Sequence, residues 1–150
     1  MRQTVATRYD VARTLSDGFR RWNRLSERSL SVAGLTLSEL WALKLLSEVG
    51  PCSMVPLANE QRMTPPGMTI VVDNLESAGL ARRVRSDADR RTVNVAITGK
   101  GGEKLRRAMK LQDKFIERTT HGLTSQEMNS FLTTLNRLIV AAEGPANVPR

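Results

Sequence analysis

From Val11 the apolar residues Val11, Leu15, Phe19, Trp22, Leu25 and Leu30 recur mostly at three- and four-residue steps, with Arg13, Arg20, Arg21, Arg24 and Arg28 in the gaps. That is the period of an amphipathic helix, over roughly 5–32. Thr36-Leu37-Ser38-Glu39 then sets a hydroxyl and a carboxylate three residues apart, so that each can accept from a free N–H of a helix start. Leu40, Leu43, Leu45, Leu46 and Val49 follow as a wide apolar face, predicting a second helix over 37–49, stopped by Gly50-Pro51. Ser53 is placed to cap a short third helix, about 54–61, with Leu57 and Ala58 inward. Thr64 before Pro65 marks the start of a fourth, which carries Met68, Val71, Val72 and Leu75 at helical spacing and ends at Gly79, a residue free to adopt the left-handed conformation of a C-cap.

Beyond Gly79 the period changes. Residues 80–86 and 92–97 alternate, with Leu80, Val84, Val93, Val95 and Ile97 on the apolar side and the polar turn Asp87-Ala88-Asp89-Arg90-Arg91 between them, predicting an antiparallel hairpin. Thr98 caps a fifth helix with Leu105, Met109, Leu111, Phe115 and Ile116 apolar. Thr124-Ser125-Gln126-Glu127 opens a sixth, with Met128, Phe131, Leu132, Leu135, Leu138, Ile139 and Ala142 as its stripe, and the tail from Gly144 to Arg150 is expected to fray. The fold class is mainly α with a small antiparallel hairpin, a winged helix-turn-helix. Residues 36–98 read as its compact lobe within a single domain of 1–150. The flanks 1–35 and 99–150 read as a helical region with more apolar surface than one small lobe can cover, which predicts a two-fold homodimer.

Composition narrows the function. The chain has 150 residues, 40% of them hydrophobic, enough for a sizeable core, and its 23 Lys and Arg against 15 Asp and Glu give a net charge of +8. Such a chain is suited to polyanions. One cysteine, Cys52, excludes an internal disulfide, and with a single histidine, His121, no zinc site of Cys and His ligands can form; a reducing, cytoplasmic setting follows. The apolar runs are short and the start carries Arg2, Arg8 and Arg13, so no membrane span and no signal peptide are expected. No nucleophile with its base, no carboxylate pair and no Gly-rich phosphate cradle is present, since Gly101-Gly102 lacks the flanking pattern, so neither enzyme activity nor a cofactor is expected. RNA binding calls for exposed aromatic residues, whereas Phe19, Trp22, Trp41, Phe115 and Phe131 occupy core-like positions.

The remaining class is double-stranded DNA. A recognition helix starting at Thr64 would present Pro65, Pro66, Thr69, Ile70 and Asp73 outward. That face is poor in hydrogen-bond donors, so base reading is expected to be modest, with apolar contact to thymine methyls and much of the affinity from phosphates. Arg82, Arg83, Arg85, Arg90 and Arg91 fall within ten residues on the hairpin, where an arginine can enter a minor groove. Asp87 and Asp89 can tie down that turn by pairing with Arg91, or orient an arginine that still faces DNA; both can hold.

The order of elements, with Leu57-Ala58, Asp73-Asn74-Leu75-Glu76, Gly79-Leu80, Asp89-Arg90-Arg91 and Ile97-Thr98-Gly99-Lys100-Gly101, resembles the multiple-antibiotic-resistance regulator (MarR) family over nearly the whole chain. The resemblance implies a winged-helix homodimer on a palindromic operator, usually a repressor released by a small anionic or phenolic ligand. It implies that Asp89 holds Arg91, that Arg91 enters the minor groove, that Ser53 and Thr64 are caps near phosphates, and that Thr69 faces outward from the recognition helix. Arg20, Leu37 and Gln112 occupy the region that corresponds to a ligand pocket. Departures are Pro65 and Pro66, where members commonly carry Gln or Ser, and Cys52 and Tyr9, neither placed like the Cys and Tyr residues of peroxide-sensing members. The alternative function is a winged-helix protein-interaction or architectural DNA-binding module without a ligand response.

Overall fold

The computed structural model describes residues 6–85 and 93–144. The element order is α1 (Arg8–Ser31), α2 (Leu37–Val49), β1 (Cys52–Ser53), α3 (Met54–Glu60), α4 (Pro65–Ser77), β2 (Ala81–Arg85), β3 (Val93–Ile97), α5 (Gly99–Thr120) and α6 (Ser125–Glu143). α1 begins three residues later than its apolar period suggests, because Thr7 and Asp10 close a capping box there. The Thr7 hydroxyl accepts from the Asp10 N–H, and the bonds that Thr7 returns hold the Asp10 carboxyl below its ordinary pKa. The boxes at Thr36–Glu39 and Thr124–Glu127 form as predicted. At the end of α4, Gly79 takes φ +69°, and the Leu80 N–H reaches the Leu75 carbonyl at 2.8 Å while the Gly79 N–H reaches that of Glu76 at 2.8 Å. This pair of bonds is the Schellman closure, and only a residue without Cβ enters it cheaply.

Two expectations change. The sheet has three strands in the order β1–β3–β2, because Cys52 and Ser53 pair antiparallel with Val95 and Asn94. Ser53 therefore ends a strand: it occupies the N-cap position of α3 but its side chain makes no capping bond. In the hairpin, Arg83 lies opposite Val95 and Val84 opposite Asn94, so Val84 is on the face away from Val93, Val95 and Ile97. The pleat places Arg83 on the buried Val95 side instead.

Residues up to Phe115 form one compact unit and those from Ile116 a second. The core of the first joins Leu40, Leu43 and Leu46 of α2 with Leu57 of α3, Met68, Val72 and Leu75 of α4, and Val95 of β3. Leu30 from α1 and Leu105 and Ala108 from α5 belong to the same cluster. Phe115 is buried, but Phe19, Trp22, Trp41 and Phe131 are exposed, which corrects their assignment to a core. Trp22 still packs edge-on against Phe115, ring centroids 5.0 Å apart. In the second unit α6 buries none of its residues, and Met128, Phe131, Leu132, Leu138 and Ile139 all face solvent.

Candidate nucleic-acid interface

α3 and α4 are joined by a tight turn in which the Arg62 N–H bonds the Asn59 carbonyl and the Met63 N–H that of Ala58. Arg62 sits at φ +50°, a left-handed conformation taken without glycine. Composition gives no sign of it, since turn chemistry points to Gly or Asn there. α4 then buries Met68, Val71, Val72 and Leu75 and leaves Pro65, Pro66, Thr69, Ile70 and Asp73 exposed, the face expected of it. Ile70, 63% exposed, is its largest apolar projection.

A helix N-terminus ordinarily offers several free N–H groups to a phosphate. This one offers few. Pro65 and Pro66 have no N–H, and those of Gly67 and Met68 already go to the Thr64 hydroxyl (3.3 Å) and carbonyl (3.0 Å). The Thr69 hydroxyl donates back to the Pro65 carbonyl at 3.0 Å, so toward a ligand it acts as an acceptor and a methyl group.

The hairpin arginines divide. The Arg83 guanidinium donates to Asp73 at 2.6 Å and also bonds Glu76, whose other oxygen accepts the Arg83 backbone N–H at 2.9 Å. These bonds, the backbone one first, hold the Glu76 carboxyl below the usual glutamate range, and the side-chain bond to Asp73 strengthens the hold of Arg83 on its proton. Arg83, expected to meet DNA, is thus engaged within the protein as a clamp between β2 and α4, and Asp73 on the outward face is neutralised by it. Arg82 and Arg85 are exposed and form no ion pair among the described residues. Asp89, Arg90 and Arg91 lie outside the described residues.

Arg20, Leu37 and Gln112 have different surroundings. Arg20 pairs with Asp17 on the exposed side of α1. Gln112 is 5% exposed and accepts from the Ser26 hydroxyl at 3.0 Å. Leu37 lines a depression of about 420 Å³ with Trp41, Lys44, Gln61 and Met63, and neither Arg20 nor Gln112 reaches it. The Cys52 thiol is half-buried, which raises its pKa and keeps it protonated at neutral pH.

Residues 33–92, which include α2, α3, α4 and β2, match the sequence model of the MarR family. Over 110 residues the chain is 31% identical to the HTH-type transcriptional repressor Mb2911 of Mycobacterium bovis, covering 73% of this chain and 79% of that one. The chain belongs to the MarR family. Among solved MarR-like folds, the transcriptional regulator BldR from Sulfolobus solfataricus is 29% identical with a TM-score of 0.76, over 89% of this chain and 98% of that one. A cysteine-to-serine mutant of MarR from E. coli, complexed with operator DNA, shares the fold at 21% identity and a TM-score of 0.78, over 85% and 92% of the two chains. As a MarR-family protein the chain is a DNA-binding transcriptional regulator rather than an enzyme, and α3 and α4 with the paired strands β2 and β3 form its winged helix-turn-helix.

Proposed function

We propose that this MarR-family protein is a repressor that binds a pseudo-palindromic operator as a homodimer. Each α4 would lie in a major groove and each hairpin would reach the adjacent minor groove, with Arg91 as the inserted residue and Ser53 and Thr64 near the backbone. The observation that carries the reading is the exposed face Pro65, Pro66, Thr69 and Ile70, set beside a strand whose Arg82 and Arg85 are unpaired among the described residues. Apolar contact at Ile70 suits thymine methyls, and the arginines suit phosphates. The name of the Mycobacterium bovis relative, a repressor, supports the direction of control. The exposed apolar rows of α1 and α6 support the dimer.

Selection of bound fragments from genomic DNA in vitro tests this. A recovered two-fold site with half-sites about 34 Å apart, one helical turn, is expected; recovery of unrelated sequences with equal affinity would overturn it. Release by a small anionic ligand belongs to the same proposal. The dispersal of Arg20, Leu37 and Gln112 favours the second reading, a regulator without a ligand response at that place.

A further inference from the structure

Between Lys44 and Arg82 the chain holds a single basic residue, Arg62. That stretch contains β1, α3 and α4, so the helix-turn-helix itself carries one cation. The charged residues of α4 are both carboxylates, Asp73 and Glu76, and both are taken up by Arg83. A DNA-binding element draws much of its affinity from cations set against phosphates. The other usual source, the N–H groups of a helix start, has little to give in α4: Pro65 and Pro66 lack one, and those of Gly67 and Met68 are bonded to Thr64.

Arg62 closes α3 in the way that Gly79 closes α4. The Met63 N–H reaches the Ala58 carbonyl at 2.9 Å and the Arg62 N–H that of Asn59 at 3.0 Å, a Schellman closure with arginine at its left-handed position, φ +50°. At the other positive-φ positions among the described residues, Gly34, Gly50 and Gly79, the residue is glycine. A side chain crowds the carbonyl that follows it in this conformation, so arginine is tolerated by the turn rather than favoured by it. Residues held in such conformations gather at functional sites. Arg62 is exposed, and its neighbours Gln61 and Met63 line the depression beside Trp41 while Arg62 does not. In the docking geometry of a helix-turn-helix, α3 crosses the DNA backbone and α4 enters the groove, which brings the turn between them to the phosphate edge. The guanidinium fork suits phosphate oxygens, and a side chain outside that depression suits a polymer backbone better than a small anion.

We propose that Arg62 is the phosphate anchor of the recognition helix, holding α4 on the DNA in place of the N–H groups that its prolines remove. This rests on the operator reading given above and adds to it a contact that comes from neither the hairpin nor the outward face of α4.

Arg62→Gly separates the fold from the contact, because glycine is the residue that the turn prefers. The variant should melt at or above the wild-type temperature. In fluorescence anisotropy with a DNA fragment selected by the wild type, it should bind about tenfold or more weakly at about 0.1 M salt, and the slope of log K against log salt should become shallower by about 0.9 for each lobe bound. The ratio of affinities for the selected fragment and for base-substituted fragments should stay as it is, since a phosphate contact carries no sequence information. Arg62→Lys should keep most of the slope. Unchanged affinity and slope in Arg62→Gly would overturn the anchor. So would a lower melting temperature, which gives the side chain to the fold, or an altered ratio with an unchanged slope, which makes it a reader of bases. In each of these outcomes the wild type still selects DNA and the operator reading stands, whereas failure of the wild type to select any fragment would sink that reading and the anchor with it.

Discussion

Arg83 shows how the neighbours of a side chain in sequence leave out the partners that the fold gives it. Within a run of arginines it looks like part of a phosphate-binding strand, but the register with Val95 turns it toward α4, where Asp73 and Glu76 wait at a three-residue step on one helix face. The consequence is measurable through pH. The Glu76 carboxyl is held below its ordinary value by the Arg83 N–H and guanidinium, so its folded pKa lies beneath its unfolded one. Its stabilisation is full above the ordinary carboxylate range and is lost as pH falls through the lowered folded value. Glu76→Gln should therefore melt below wild type at neutral pH, with the gap closing as the solution is acidified through that window. A constant gap at all pH values would show that the charge is not what matters. Gly101 is a second single-residue test. Its absent Cβ is what lets α5 approach the Leu80 carbonyl, and Gly101→Ala should cost about 1–3 kcal/mol in thermal or denaturant unfolding.

At the scale of the element, α4 presents an unusual set of groups for a recognition helix, because its two prolines remove donors from its first turn and leave Thr69 and Ile70 as the projecting side chains. Ile70→Ala should lower the preference for thymine at one position of each half-site, by an amount on the order of 1 kcal/mol, while leaving non-specific binding nearly unchanged. Thr69→Val, which keeps the methyl group and removes the acceptor, should alter preference at a neighbouring position; competition binding with substituted sites checks both. The elements themselves were legible where a local rule specifies them: two of the capping boxes, the Thr64-Pro65 start and the Gly79 stop each act within four residues. Other features depend on contacts distant in sequence. β1 is two residues long and carries no period, and it exists because Val95 and Asn94 offer an edge to Cys52 and Ser53. The burial of Gln112 against Ser26 depends on how α5 meets α1 across 86 residues. Helical spacing identified an apolar face on α1, but spacing alone does not say whether that face is covered within the same chain.

At the scale of the whole molecule, that uncovered face becomes the argument. Phe19 on α1 and Phe131 on α6 are 64% and 61% exposed, each within a row of further apolar residues, and rows of this kind on a folded chain mark surfaces that associate. Both are better probes than Trp22, whose contact with Phe115 makes it part of the folded unit. On the proposed homodimer, the double variant Phe19→Asp, Phe131→Asp should retain its circular dichroism but sediment as a monomer, and the wild type should sediment as a dimer. Two lobes joined in one dimer bind a two-fold site with the second contact made intramolecular, so the monomer should bind the same site roughly 10²–10⁴-fold more weakly. Its dependence on salt supplies a check that does not rely on affinity alone. Each lobe displaces its own counterions with its own cationic side chains, so the slope of log K against log salt should fall by about half when one lobe binds in place of two. A monomer with the full wild-type slope would mean that the phosphate contacts come from one lobe, and the two-fold operator would fall with it.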